Sequence, residues 1–185
     1  MEVTRLSIDG ALEIVPKVFR DDRGWFKETY ARSCYLPAGI DADLVQDNLS
    51  MSDRFVLRGL HGAPRMGKLV QVLSGSAYDV IVDVRTASPT FMRWHAVMLR
   101  ANEHHQLYIP AGCVHGFLAL EDETLLYYKQ SSEYDPAAEL GIAWNDPDLA
   151  IEWPLGGVAP ILSAKDASNP TLRALRLAQG ESFGL

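Results

Sequence analysis

The chain has 185 residues and a formal net charge of −7, with 48% hydrophobic and 22% charged residues. This composition excludes disorder as the default state, so one folded domain spanning residues 1–185 is expected. The acidic balance argues against general nucleic-acid binding, although local cations can still hold a small anion.

Cysteine usage and the amino terminus bear on the compartment. Cys34 and Cys113 form no disulfide framework and fit a reducing cytosol, although counting alone leaves one bridge open. The first residues lack a charged start leading into an apolar signal core, and no apolar run approaches membrane-spanning length. The sequence therefore predicts a cytoplasmic protein with no membrane partner.

Short apolar runs separated by turn residues dominate the chain. Seven runs are predicted to be strands, because their apolar residues alternate or run continuously between turn signals. In chain order they span residues 12–19, 68–73, 77–84, 94–99, 106–109, 117–120 and 124–129. Turns such as Ser74-Gly75-Ser76 and Glu121-Asp122-Glu123 separate them. This spacing favours a sandwich or a barrel.

Helical signals are few. They predict a short helix near residues 31–36, a turn near residues 146–149, and a carboxy-terminal helix with Asn169 as its cap and Pro170 at its first position. The sequence shows no repeat, low-complexity tract or interdomain linker. One all-β domain with small helical additions is the expected architecture.

Three potential cations, Arg58, His61 and Lys68, lie in an otherwise apolar, strand-like region. A second histidine, His115, follows the turn that begins at Pro110, and Tyr128 lies on the next apolar run. Neighbouring strands would then carry two histidines, basic groups and a phenol. Such a cluster indicates a site that holds an anion or moves a proton.

The Pro110, Gly112 and His115 spacing resembles the second motif of cupins, in which proline and glycine form a tight corner that aims the histidine into the mouth of a barrel. Many cupins hold a metal through closely spaced histidines and a glutamate. His61 has no such neighbours, and the adjacent His104 and His105 are predicted to lie in a solvated loop. No catalytic metal and no cofactor are therefore expected.

Ten sequence blocks in a fixed order resemble the nucleotide-sugar 3,5-epimerase family, typified by dTDP-4-dehydrorhamnose 3,5-epimerase. They span residues 19–28, 45–52, 58–61, 68–70, 79–85, 88–91, 110–117, 128–129, 144–147 and 162–166. The resemblance implies a cupin-type antiparallel jelly-roll barrel. It also implies metal-free epimerisation of a nucleotide-linked 4-keto-6-deoxy sugar. C3 and C5 both flank the C4 ketone, so losing either proton gives an enolate, and re-protonation from the opposite face inverts the centre.

The match to the family also assigns catalytic roles. His61 is the expected base and Asp166 its carboxylate partner, which orients the ring and stabilises the imidazolium. Tyr128 is the expected acid on the opposite face. Lys68 is expected to stabilise the enolate oxygen, an effect on the order of 3 kcal/mol for one preorganised donor.

Further matched positions are expected to bind the substrate. Arg58 and His115 would assist at the sugar and diphosphate, and Lys165 is a further expected substrate-binding residue. The nucleotide side would be lined by Gln46, Asn48 and Tyr134. The resemblance implies a homodimer with shared sites, in which the neighbouring subunit's site receives Arg23, Phe26 and Glu28.

Each assignment has a structural alternative. His61 could be a satisfied core histidine and Asp166 a helix cap. Tyr128 could be ordinary strand packing, as Tyr127 beside it is expected to be, because successive strand residues face opposite sides. Arg23 and Glu28 could form a surface ion pair. The four tryptophans are attributed to packing: Trp25, Trp94, Trp144 and Trp153.

The loop after His61 departs from the usual family pattern. Gly62-Ala63-Pro64 stands where an aromatic residue and glutamine are usual, and the loop to Lys68 is about three residues shorter. This resembles a subset acting on other nucleotide-linked 4-keto sugars, including GDP-linked 6-deoxyheptoses, for which a small residue could leave room. A 3- or 5-epimerase of such a sugar, an isomerase moving the ketone, and a non-catalytic sugar-nucleotide binding protein therefore remain as alternatives.

Overall fold

The computed structural model describes residues 1–178, so the last seven residues of the predicted domain lie outside the described part of the chain. Thirteen strands are formed within that range: β1 Glu2–Arg5, β2 Leu12–Val15, β3 Val18–Asp21, β4 Gly24–Lys27, β5 Gln46–Ser52, β6 Leu57–Gly62, β7 Lys68–Ser74, β8 Ser76–Asp83, β9 Trp94–Arg100, β10 Gln106–Ile109, β11 Cys113–Ala119, β12 Thr124–Gln130 and β13 Leu140–Gly141. Three short helices are α1 Arg32–Tyr35, α2 Ala164–Ala167 and α3 Leu172–Ala178.

The strands form two large sheets and one hairpin. The six-stranded sheet has the order β1-β2-β10-β7-β12-β5, the five-stranded sheet the order β13-β6-β11-β8-β9, and β3 pairs only with β4. All of these strand pairs are antiparallel. The architecture is the expected all-β jelly roll, in which successive strands alternate between the two facing sheets from β5 to β8 and again from β9 to β13.

The main core lies between the two large sheets. Val70 and Leu126 from the six-stranded sheet pack in one buried cluster with Ile81 and Leu99 from the five-stranded sheet. The opposite face of the five-stranded sheet is covered as well, because Val82 on β8 packs in a second cluster with residues from later loops and α3. Burial on both faces explains the nearly continuous apolar runs of β8 and β11.

Several predicted boundaries differ from the structure. The predicted strand 12–19 is two strands, because Pro16 interrupts the run and β3 leaves the sheet for its own hairpin. The carboxy-terminal helix begins at Leu172, two residues later than predicted, and Thr171 Oγ1 accepts the Ala174 amide at 3.2 Å. Strands β1, β4, β5 and β13 were not predicted, and β6 was expected only as part of the strand-like region that holds Arg58 and His61.

One prediction about a ring environment was wrong. His104 is buried rather than solvated, with its ring centroid 4.6 Å from that of Trp25. Trp25 lies on the β3–β4 hairpin and packs against His104 as expected, although 54% of it remains exposed. Separately, none of the helices formed by residues 1–178 has the length and hydrophobicity needed to cross a bilayer.

Candidate active site

A cavity of about 430 Å³ opens beside β6, β7, β11 and β12, with the segment around α2 as its remaining wall. Seven of the residues singled out from the sequence line it: Arg58, His61, Lys68, His115, Tyr128, Lys165 and Asp166. The structure therefore brings together the groups that the sequence scatters over more than 100 residues.

His61 and Asp166 form a hydrogen-bonded pair, with 2.5 Å between His61 Nε2 and Asp166 Oδ1. Asp166 lies on α2, where its amide donates to the hydroxyl of the capping Ser163 at 3.1 Å, so its position is fixed by the local helix start. Desolvation by burial lowers the pKa of His61, and the charge of Asp166 opposes that shift. The imidazole is therefore predominantly neutral at pH 7 and available as a base.

Lys68, the first residue of β7, lies between His61 and Tyr128. Its Nζ donates to the His61 carbonyl at 3.4 Å and lies 5.7 Å from the centroid of the Tyr128 ring. Burial lowers the pKa of Lys68 to about 8, although the charges of Asp79 and Glu139 oppose it. The ammonium thus titrates close to neutral pH, beside the backbone of His61 and the ring of Tyr128.

Tyr128 faces the cavity, whereas Tyr127 lies on the other side of β12, where its hydroxyl accepts a hydrogen bond from Lys129 Nζ at 3.4 Å. Desolvation by burial raises the pKa of Tyr128, and the charge of Arg58 opposes the shift. The phenol is therefore protonated at neutral pH and carries a proton that it can donate.

His115 lies directly opposite His61 in the β6–β11 pairing. Its Nε2 is 2.8 Å from Oδ2 of Asp79, a fully buried carboxylate on β8. Desolvation raises the pKa of Asp79, while the nearby His115 and Lys68 lower it. Sequence reasoning missed Asp79 as a site residue, although a carboxylate within the apolar run of β8 is a signal, because a buried charge needs a partner.

Arg58 is oriented by two hydrogen bonds, from Nε to Ser52 Oγ at 3.0 Å and from a terminal nitrogen to the Met51 carbonyl at 3.0 Å. These contacts anchor the guanidinium to the neighbouring sheet at the edge of the cavity. They leave part of its donor set available for an anion.

A second cavity of about 80 Å³ adjoins the first and shares His61, Lys68 and Tyr128 with it. Tyr134 and Glu139 line this smaller cavity. Glu139 was also missed from the sequence, and no motif or periodicity pointed to it, because it lies in the loop that precedes β13.

The predicted nucleotide-binding residues are linked to each other. Gln46 Nε2 donates to Asn48 Oδ1 at 2.8 Å, and Gln46 Oε1 accepts the Tyr134 amide at 2.9 Å. Asn48 is paired with Tyr128 across β5 and β12. Of the three, only Tyr134 lines one of the two cavities next to His61.

Arg23, Phe26 and Glu28 do not reach the cavity of their own chain. Arg23 and Phe26 lie on or beside the exposed β3–β4 hairpin, and Phe26 is 64% exposed. Arg23 pairs with Asp21 at 2.5 Å, so the surface ion pair considered between Arg23 and Glu28 is not observed.

Gly62, the residue after His61, lies where β6 approaches β11 closely. A Cβ atom at this position would lie 2.3 Å from the Cys113 carbonyl oxygen. Gly62 also lines the smaller cavity next to His61, but a side chain at this position would meet the backbone of β11. The glycine serves the close approach of the two strands.

Among residues 1–178, no group of three or more His, Cys, Asp or Glu side chains is arranged to hold a metal ion. The donors that meet at the cavity are instead paired histidines and carboxylates, an ammonium, a guanidinium and a phenol. This is a set suited to proton transfer and anion binding.

Comparison with known proteins gives consistent matches. A family model described as dTDP-4-dehydrorhamnose 3,5-epimerase matches residues 5–174. A dTDP-4-dehydrorhamnose 3,5-epimerase of Methanothermobacter thermautotrophicus is 44% identical over 172 residues, which cover 91% of this chain and 93% of the relative.

Solved structures agree. A dTDP-6-deoxy-D-glucose-3,5-epimerase of Legionella pneumophila, in complex with dTDP-4-keto-L-rhamnose, matches with a TM-score of 0.91 and 39% identity, covering 100% of this chain and 99% of the other. A 3'-monoepimerase of Streptomyces bikiniensis in complex with dTDP-quinovose matches with a TM-score of 0.87 and 38% identity, covering 94% and 89%.

Proposed function

Because the chain belongs to the dTDP-4-dehydrorhamnose 3,5-epimerase family, we propose that its cavity inverts C3 and C5 of a nucleotide-linked 4-keto-6-deoxy sugar. The default substrate is dTDP-4-dehydro-6-deoxyglucose and its product dTDP-4-dehydrorhamnose. The enzyme is then an isomerase that needs no cofactor for this chemistry. We also propose that it acts in the cytoplasm, where nucleotide sugars are made.

The proposed mechanism begins with proton abstraction by neutral His61. The electron pair of the broken C–H bond moves into the ring and onto the C4 oxygen, which gives an enolate. Asp166 holds the imidazole in place and stabilises the imidazolium that forms. The Lys68 ammonium stabilises the charge on the enolate oxygen.

Inversion is completed from the other side of the ring. Tyr128 donates its phenolic proton to the carbon, and the enolate collapses to the ketone. The proton taken by His61 returns to solvent and the tyrosinate is re-protonated, so the net reaction exchanges one carbon-bound proton. The same cycle acts on C3 and on C5, because both carbons flank the same ketone.

The observation that supports this proposal most strongly is the arrangement of three groups around one cavity. Lys68 contacts the His61 carbonyl and lies over the Tyr128 ring, while both other side chains line the same space. Proton transfer at two faces requires a base and an acid around one space, and a cation in that space stabilises the enolate formed between the two transfers. A core histidine or a packing tyrosine would not need the buried ammonium.

The remaining assignments concern binding. We propose that Arg58, His115 and Lys165 hold the diphosphate and sugar, since all three line the cavity. The nucleotide side is assigned to Gln46, Asn48 and Tyr134. The exposed hairpin cannot serve its own cavity, so we assign Arg23, Phe26 and Glu28 to the site of a second copy in a homodimer.

Deuterium incorporation tests the function. The protein is incubated in deuterated buffer with dTDP-4-dehydro-6-deoxyglucose, or with GDP-linked 4-keto-6-deoxy sugars, and label at C3 and C5 is followed by NMR. Label at both centres with the dTDP sugar, lost in His61→Ala, supports the proposal. If none of these sugars acquires deuterium, the proposal is overturned in favour of a binding protein. Migration of the ketone would indicate the related isomerase.

Inversion at a single centre is the second candidate. It is favoured by the similarity to the Streptomyces bikiniensis 3'-monoepimerase, which matches over 94% of this chain. Label confined to C3 or to C5 would support it and keep the same catalytic groups. If only a GDP-linked sugar, including a 6-deoxyheptose, acquires deuterium, the substrate is a GDP-linked sugar and the catalytic groups stay the same.

A further inference from the structure

Glu139 has no part in the mechanism proposed above, yet it lies beside the base. It immediately precedes β13, which pairs with β6 so that Gly141 is opposite His61. Its side chain is 17% exposed and lines the smaller cavity next to His61. Its carboxylate accepts hydrogen bonds from Tyr134 Oη at 3.0 Å and from Lys165 Nζ.

Lys165 connects this carboxylate to the larger cavity. The lysine lies on α2 next to Asp166, lines the cavity of about 430 Å³ and is 54% exposed. An ion pair made by an exposed lysine is weak, because solvent screens it and the long side chain loses freedom. A diphosphate entering the cavity is therefore able to compete with Glu139 for the same ammonium.

We propose that Glu139 is a positioning residue for the epimerisation, whose carboxylate holds the Lys165 ammonium at the edge of the empty pocket and gives it up to the diphosphate of the incoming substrate. This inference rests on the proposed function, since it takes a nucleoside diphosphate sugar as the ligand. When the substrate is bound, the Glu139 carboxylate keeps the hydrogen bond from the Tyr134 hydroxyl and remains beside the catalytic groups.

The negative charge left in place acts on Lys68 and His61. Glu139 is among the charges that raise the pKa of Lys68 and of His61 against the effect of burial. It therefore favours the ammonium form of Lys68 that the enolate needs. Glu139 weakens nucleotide binding and supports the chemical step, and these two effects are separable by experiment.

The Glu139→Gln variant separates the effect on nucleotide binding from the effect on the chemical step. Glutamine keeps a carbonyl oxygen that accepts the Tyr134 hydrogen bond, but it removes the negative charge. We expect the dissociation constant for dTDP, measured by calorimetry, to fall about three- to tenfold, since the competing anion is gone. We expect the alkaline limb of the kcat profile to move to lower pH, a change that a merely structural residue would not produce. Glu139→Ala, as a second variant, should also tighten dTDP binding.

The matched control is Lys165→Met. It should weaken dTDP binding, and Glu139→Gln in that background should leave dTDP affinity unchanged within about twofold, because the exchange partner is absent. Unchanged or weaker dTDP binding in Glu139→Gln, with deuterium exchange intact, would overturn this inference and leave the proposed function standing. A wild-type protein that neither binds dTDP nor exchanges deuterium would overturn both.

Discussion

His61 and His115 face each other across β6 and β11, and each holds a carboxylate through Nε2, Asp166 at 2.5 Å and Asp79 at 2.8 Å. The two pairs differ in access to solvent. The His61 side chain is 24% exposed and that of His115 is 8% exposed. The more accessible pair suits proton exchange with water between turnovers, and the buried pair suits a fixed hydrogen-bonding role.

Asp166→Asn should lower kcat by about a thousandfold, because an amide orients the His61 ring but cannot stabilise its imidazolium. The loss should appear in the deuterium exchange rate at both C3 and C5. Asp41→Asn, at an exposed position in the loop after α1, is the matched control and should keep full activity. A kcat within tenfold of wild type would remove Asp166 from the mechanism.

How much of this site was predictable depends on the residue. His61 and Asp166 are separated by 105 positions, and only the resemblance to a known family joined them before the structure did. Asp79 was detectable in principle as a carboxylate inside an apolar run. Glu139 was not detectable from the sequence, because its position beside His61 depends on how the loop before the two-residue strand β13 packs.

Some strands of the fold were also predictable from the sequence, and others were not. Strands β7, β8 and β10 were predicted near their observed bounds, because their apolar residues face a core and leave a clear pattern. Strand β5 was missed because its exposed positions carry apolar residues, with Leu49 59% and Met51 60% exposed. Its polar positions alternate with these, so the pattern does not separate core from surface.

The pH profile of kcat/KM should be bell-shaped. His61 must be neutral, and burial lowers its pKa from 6.5, so activity should be retained down to below pH 6.5 and then fall as the ring is protonated. Lys68 must be charged, and its pKa of about 8 should give the alkaline limb. Tyr128 titrates above 10.0 and stays protonated throughout that range.

The Lys68→Arg variant tests whether Lys68 is the group whose deprotonation causes the alkaline limb of the pH profile. Arginine keeps the positive charge and does not titrate in this range, so the variant should lose the limb near pH 8 even if its maximal rate is lower. The profile is measured from initial rates of deuterium exchange at constant ionic strength. An alkaline limb that persists near pH 8 in this variant would assign it to another group.

The Asp79→Asn variant should be more stable than wild type but less active. Desolvation raises the pKa of Asp79, so its ionised form costs stability as pH rises above 3.8, and the variant should have a higher urea midpoint than wild type at pH 7. Activity should fall about tenfold to a hundredfold, because His115 loses the carboxylate that orients it. A lower urea midpoint would show that the charged pair stabilises the fold.

Asp83 at the end of β8 should be a stability determinant away from the site. Burial alone would raise its pKa, but hydrogen bonds from Arg85, Ser88 and Thr90 outweigh that effect and lower it from 3.8 to about 2. The ionised form therefore contributes stability that is fully present above pH 3.8 and is lost as pH falls toward 2. The difference corresponds to roughly 2 kcal/mol.

Asp83→Asn should accordingly lower the free energy of unfolding by roughly 2 kcal/mol at pH 7. Urea titrations at pH 7 and pH 3 measure the effect, and the gap between wild type and variant should narrow at pH 3, because the wild-type carboxylate then gains less from its donors. Asp22→Asn, which is exposed, should show no gap at either pH. A constant gap across both pH values would mean that Asp83 acts through packing rather than through its charge.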